Sequence, residues 1–182
     1  MLTRFKERLS RVLDALYGVV APLGLSPNAV TLAGLAACLA GYLSLRLGLY
    51  EAFLASFLLT GLADALDGYI ARREGKVSEF GAFLDSVTDR FEDAVFVAAL
   101  HDLGILSPHE ALLLLTGTLM VSYTRARGEA LGVHMAGVGV AERAERLIAI
   151  LAALLLYRVW LGAARVVLWG LTVSYTHLRA HE

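Results

Sequence analysis

Long apolar runs alternate with short polar interruptions along this chain, and the runs have the length of bilayer crossings. A helix needs about 20 mostly apolar residues to cross about 30 Å of hydrocarbon. Six spans are predicted on that ruler: Asn28–Leu47, Tyr50–Ile70, Phe80–Leu100, Glu110–Ala130, Ala141–Arg158 and Trp160–Val173. The segments Leu47–Leu49, Arg72–Glu79, His101–Pro108 and Gly132–Gly139 separate them. Ser26-Pro27 and Ser107-Pro108 set a capping hydroxyl and a first-turn proline before spans one and four. Ala33, Gly34, Ala37 and Gly41 give span one small residues that allow close helix approach.

The first twenty residues carry a different pattern. Leu2, Phe5, Leu9, Val12, Leu13 and Leu16 recur every three or four positions, while Arg4, Lys6, Glu7, Arg8 and Arg11 fill the other side. That is an amphipathic helix suited to the membrane interface. A signal peptide fits less well, because charge interrupts the apolar stretch and no clear cleavage site follows. Residues 21–173 then form one six-helix membrane domain, with no internal repeat and no soluble second domain. Ser174–Glu182 turns abruptly polar and reads as a non-native or disordered tail, so the His177/His181 pair receives no role.

Composition points the same way. The chain has 182 residues, 58% hydrophobic and 18% charged, with mean hydropathy +0.65. Soluble domains average about 45–50% apolar and about 25% charged. A soluble globule, a disordered chain and a disulfide-rich module are therefore excluded; Cys38 is the single cysteine. A net charge of −1 excludes a nucleic-acid binder that neutralises many phosphates. The expected fold class is an all-α polytopic membrane protein. Lys and Arg gather in the N-terminal segment, in the Arg72–Glu79 loop and around the junction of spans four and five. The positive-inside rule then puts both termini and these loops in the cytoplasm of a multi-pass cell-membrane protein.

Four carboxylates stand out against this background. Asp64 and Asp67 are three apart near the end of span two, and Asp85 and Asp89 are four apart near the start of span three. Each spacing sets its pair on one helix face, and the short loop between makes the two helices antiparallel neighbours. Charged groups in a span cost about 2.5–3.5 kcal/mol each on insertion scales, and crowded carboxylates repel one another. Divalent cations remove both problems, and hard oxygen ligands suit Mg²⁺, Mn²⁺ or Ca²⁺. From the residues alone three readings stay open. These are a metal–phosphate site, a solvated loop balanced by Arg72, Arg73 and Lys76, and an acidic relay in a small cation or proton transporter.

The full stretch from Asp64 to Asp89 resembles the signature of the CDP-alcohol phosphotransferase family, D-x2-D-G-x2-A-R-x8-G-x3-D-x3-D. Asp64, Asp67, Gly68, Ala71, Arg72, Gly81, Asp85 and Asp89 fill every fixed position. The resemblance extends to the six-helix layout and the amphipathic N-terminus. It implies transfer of a phosphatidyl-type group from a CDP-linked lipid to an alcohol, with release of CMP. It also implies a homodimer and two Mg²⁺ ions per site, with Mn²⁺ as an alternative, held by Asp64, Asp67, Asp85 and Asp89. Asp89 would in addition act as general base. Gly68, Ala71, Arg72 and Gly81, with Ser78 and Ser26-Pro27-Asn28-Ala29, correspond to the CDP-lipid site. Ser26 and Asn28 also fit plain helix capping. Gly75-Lys76-Val77 lacks the glycine spacing and the hydroxyl residue of a P-loop.

The acceptor is read from arginines. Ser122-Tyr123-Thr124-Arg125-Ala126-Arg127 and Glu142-Arg143-Ala144-Glu145-Arg146 bring Arg125, Arg127, Arg143 and Arg146 to the membrane level of the acids. Positive-inside anchoring explains them as well as an anion pocket does. Both segments look like the subgroup of phosphatidylinositol-phosphate and archaetidylinositol-phosphate synthases, which implies inositol phosphate as acceptor. Glycerol 3-phosphate, as in phosphatidylglycerophosphate synthases, is the alternative with the same chemistry. Glu92 and Asp93 continue the acidic face beyond Asp89 and are expected to be structural, paired with Arg90 or an arginine of span five. His101, His109 and His134 fall near helix ends and suit the wet interface rather than metal. Tyr50, Tyr157 and Trp160 suit an aromatic belt.

Overall fold

The computed structural model describes residues 2–133 and 143–177. Within them lie seven α-helices: α1 (Leu2–Val20), α2 (Pro27–Arg46), α3 (Tyr50–Arg73), α4 (Glu79–Asp102), α5 (Pro108–Ala130), α6 (Arg143–Tyr157) and α7 (Leu161–His177). Among the described residues there is no strand. Helices α2 to α7 fall on the six predicted spans, and α1 on the predicted amphipathic segment. Helix α7 runs four residues past the predicted end at Val173, because main-chain helix continues where the apolar run stops. His134, the predicted start of span five at Ala141, and the tail residues 178–182 with His181 lie outside the described residues.

Among the described residues two helices, α2 and α3, are long and apolar enough to cross a membrane by length and composition. Helix α7 contains a shorter apolar stretch, Leu161–Gly170. Helix α4 is 24 residues long but carries Asp85, Asp89, Arg90, Glu92 and Asp93 along its length, which lowers its hydropathy. Many large apolar side chains point outward, among them Leu32, Leu39 and Leu43 on α2 and Leu58 and Leu59 on α3.

The chain divides into two compact units, Met1–Glu92 and Asp93–Glu182, with the boundary inside α4. In the first unit α2 lies closely along α3. Small residues cause this, since a Cβ added at Gly41 would sit 2.5 Å from Ser56 Cβ and one at Gly34 3.0 Å from Ala63 Cβ. The approach lets hydroxyls on α3 bond backbone carbonyls of α2: Ser56 Oγ donates to Ala37 O, and Thr60 Oγ1 lies 3.3 Å from Gly34 O. Ser26 caps α2, accepting from Ala29 N at 3.2 Å, and Pro27 takes the first turn. Helix α1 docks through Leu16, Tyr17 and Val20 onto buried Val30, Leu66 and Ile70. Polar contacts extend that seam. Tyr69 Oη and Arg73 Nη1 both donate to Asp14, Arg73 lies 4.6 Å over the Tyr17 ring, and Tyr17 Oη donates to Glu74 at 3.1 Å.

In the second unit α6 packs along α7, with Ala153, Leu154, Ala164 and Leu168 fully buried. Helix α5 opens with a complete capping box: Ser107 N donates to Glu110 Oε2 at 2.7 Å, and Glu110 N to Ser107 Oγ at 3.4 Å. Glu110 also receives Trp169 Nε1 at 3.0 Å and Arg165 Nη2 at 3.4 Å, which ties α7 to the start of α5. His101 Nδ1 lies 3.0 Å from Leu106 O at the end of α4, a local contact in keeping with its expected place near a helix end.

Candidate active site

The signature residues come together at the loop-proximal ends of α3 and α4. A cavity of about 280 Å³ opens there, lined by Pro27, Asn28 and Thr31 of α2, by Asp67, Gly68, Ala71 and Arg72 of α3, by Lys76, Val77 and Ser78 of the loop, and by Gly81, Ala82 and Asp85 of α4. Seven of the nine residues expected to contact the CDP-linked lipid are in this wall: Pro27, Asn28, Gly68, Ala71, Arg72, Ser78 and Gly81. Ser26 and Ala29 are not; Ser26 is occupied as the cap of α2, with Ala29 N as its donor.

Two glycines keep the wall thin. A Cβ at Gly81 would come 3.0 Å from Ser78 Oγ and 3.2 Å from Asn28 Oδ1, so these three residues meet at one point of the wall. Gly81 N donates to Ser78 Oγ at 3.0 Å, which caps α4. At Gly68 a Cβ would meet Arg72 Nη1 at 3.1 Å, because the Arg72 guanidinium folds back over the bare backbone. The side of the cavity around Gly68 is therefore cationic.

The four aspartates divide between two levels. Asp67 and Asp85 line the cavity. Asp64 and Asp89 instead join Glu92, and one carboxylate oxygen from each of the three lies within 4.8 Å of the others. Asp64 is one turn before Asp67 on α3 and Asp89 one turn beyond Asp85 on α4, so this cluster lies about 5.4 Å further along both helices from the connecting loop. Its donors are all carboxylate oxygens and Glu92 is fully buried. Such a set suits a hard divalent cation rather than Zn²⁺. Arg90 lies 3.6 Å from Asp89.

Three polar or charged residues at this site were not assigned to it from the sequence. Thr31 is buried and donates to Asp67 Oδ2 at 2.5 Å. Lys76 enters the wall while paired with Glu74 at 2.7 Å. Their attraction holds the Glu74 carboxyl below its usual range, with Tyr17 helping, and holds the Lys76 ammonium above its own. Glu92, expected to be structural, is part of the acidic cluster. The four-residue spacing from Pro27 to Thr31, which sets the two on one helix face, is the one signal that could have found Thr31.

The arginines of the second unit occupy different environments. Arg146 is 8% exposed and paired with Asp93 at 3.4 Å, an arginine of span five being one of the two kinds of partner expected for Asp93. Its Nε and Nη1 are buried without a hydrogen-bond partner. Arg143 is half-buried, Arg127 is exposed, and Arg125 is exposed and bonded to Glu129 at 3.2 Å one turn along α5.

The family described as CDP-alcohol phosphatidyltransferase matches residues 24–176. The archaetidylinositol phosphate synthase of Pyrococcus horikoshii is 36% identical over 169 residues, covering 89% of this chain and 86% of that protein. The crystal structure of Mycobacterium tuberculosis phosphatidylinositol phosphate synthase with CDP-DAG bound superposes with a TM-score of 0.78 at 31% identity, covering 92% of this chain and 89% of that one. The same enzyme in complex with manganese and citrate gives a TM-score of 0.77 at 31% identity, over 91% and 84% of the two chains.

Proposed function

The chain belongs to the CDP-alcohol phosphatidyltransferase family, and from that premise we propose that it transfers the phosphatidyl-type group of a CDP-linked lipid to a hydroxyl of inositol phosphate, releasing CMP. The observation that carries this reading is the meeting of six of the eight signature residues in one cavity, with the other two, Asp64 and Asp89, in an acidic cluster one turn beyond it. The names of similar proteins, archaetidylinositol phosphate synthase and phosphatidylinositol phosphate synthase, support the acceptor.

Pro27, Asn28, Gly68, Ala71, Arg72, Ser78 and Gly81 receive the CDP portion. Gly68 lets the nucleotide approach the backbone, and Arg72 supplies a charge-assisted contact to the diphosphate. Asp64, Asp67, Asp85 and Asp89 hold the divalent cations, and the all-oxygen donor set fits them. Bound there, two Mg²⁺ ions, or Mn²⁺ in their place, would neutralise the diphosphate and stabilise departing CMP. The acceptor hydroxyl oxygen forms a bond to the β-phosphorus as the bond from that phosphorus to the CMP oxygen breaks. Asp89 takes the hydroxyl proton.

Arg125, Arg127, Arg143 and Arg146 meet the acceptor phosphate. The buried Nε and Nη1 of Arg146 support this, since an anion would supply partners that the protein does not. Helices α2 to α7 cross the cell membrane, α1 lies in its interface, and both termini and the active site face the cytoplasm. The outward leucines of α2 and α3 and the grouping of cations support that placement. The enzyme works as a homodimer, as the family resemblance implies.

The test is CMP release by purified protein from CDP-linked lipid with Mg²⁺, comparing inositol phosphate, glycerol 3-phosphate, serine and water as acceptors. Release stimulated by inositol phosphate alone is expected. Stimulation by glycerol 3-phosphate instead would keep the chemistry and overturn the acceptor.

A further inference from the structure

We propose that Thr31 is a positioning residue for Asp67, holding that carboxylate in the one orientation that presents it to a divalent cation. The inference rests on the assignment of Asp67 to the metal site. Thr31 is 3% exposed and Asp67 5% exposed, so neither is oriented by bulk water. The Thr31 hydroxyl lies 2.5 Å from Asp67 Oδ2 and 3.1 Å from Pro27 O. It has a single proton, and the shorter contact to the charged acceptor takes it. The other carboxylate oxygen, Oδ1, accepts from Gly68 N on the same helix. Asp67 is thus gripped at both oxygens, once by α3 and once by α2, and rotation about its Cβ–Cγ bond is blocked. Groups that orient a metal-binding carboxylate typically change metal affinity about 10–100-fold when removed.

A purely structural role makes a different prediction. A threonine bonded back to the carbonyl four residues earlier shapes its own helix, and its loss then lowers stability while leaving cation affinity alone. The experiment titrates Mn²⁺ into the purified full chain without substrates and follows free Mn²⁺ by electron paramagnetic resonance, with a thermal melt of each metal-free variant. Thr31→Val, which keeps shape and loses the hydroxyl, is expected to bind Mn²⁺ ~10-fold more weakly, whereas Thr31→Ser stays near the parent chain. Asp67→Asn weakens binding at least as much, and adding Thr31→Val to it costs little more, because both act through one carboxylate. Should Thr31→Val fail to fold, Thr31→Ala provides the same reading.

Unchanged Mn²⁺ affinity in the hydroxyl-free variants overturns the inference. So does a full additional loss when Thr31→Val is added to Asp67→Asn. If Asp67→Asn alone leaves Mn²⁺ affinity unchanged, Asp67 is no metal ligand, and the metal assignment fails rather than the Thr31–Asp67 bond.

Discussion

In the Met1–Glu92 unit, charged side chains at fixed spacing converge: Asp67, Arg72 and Asp85 share a cavity wall, and Asp64 and Asp89 join Glu92 one turn further along. In the described part of the Asp93–Glu182 unit several charged side chains find partners of their own. Arg146 pairs with buried Asp93, Arg125 with Glu129 on the same helix face, and Glu110 with Arg165 and Trp169 of α7. The contrast separates two uses of charge within a bilayer-length fold. Like charges crowded on facing helices demand an external cation, and that demand makes them read as chemistry. Opposite charges that neutralise one another tie helices together, and they read as structure until an atom such as Arg146 Nε is left over.

Breaking the first unit at its base has the largest expected effect. Asp89→Asn keeps shape and removes the proton acceptor, so turnover falls about 10²–10⁴-fold while CDP-lipid affinity is largely kept; steady-state kinetics with a binding isotherm checks both. Retained turnover would remove Asp89 from the chemistry.

Glycine substitutions sharpen the same comparison inside the first unit. Gly41→Ala drives a methyl into Ser56 on the tightly packed α2–α3 seam, and overpacking of this kind costs about 1–3 kcal/mol. A thermal melt in detergent should show the loss, with both KM values little changed in the folded fraction. At Gly68 the group that would be struck is the mobile end of Arg72, so Gly68→Ala should spare stability and raise the CDP-lipid KM. Equal stability losses at the two glycines would contradict the division between packing and binding.

The arginines sharpen the second unit. Arg125→Ala is expected to raise the acceptor KM several-fold and to leave the CDP-lipid KM near its starting value. Equal effects on both would return Arg125 to membrane anchoring. Smallest is Glu110→Gln, where glutamine still completes the capping box of α5 and only the charge attraction to Arg165 of α7 is lost. Such a partly exposed pair is worth about 0.2–1 kcal/mol, so the melting point drops slightly while both KM values hold.

Much of this arrangement was legible in the sequence because it rests on period and spacing. The apolar runs located α2 to α7, and the Ser-Pro pairs located the caps of α2 and α5. Six of the eight signature positions line the cavity. Partnership across space was not legible. Thr31 lies in an apolar helix, where a hydroxyl reads as filler until Asp67 is seen beside it. The Glu110–Arg165 pair joins residues 55 apart in sequence, and no local pattern encodes it. Asp67 and Asp85 line the cavity while Asp64 and Asp89 join Glu92, because one helical turn separates the members of each pair along its axis. Helix α7 outran its apolar stretch for the same kind of reason: hydropathy reports where lipid is tolerated, and the hydrogen-bond ladder continues beyond it.

On the proposed reading the carboxylates of α3 and α4 hold the divalent cations used in CMP displacement. Anomalous X-ray scattering from crystals grown with Mn²⁺ tests this assignment. Two Mn²⁺ peaks bound by Asp64, Asp67, Asp85 and Asp89 are expected. Crystals that hold Mn²⁺ elsewhere and show no peak among those four residues would contradict it.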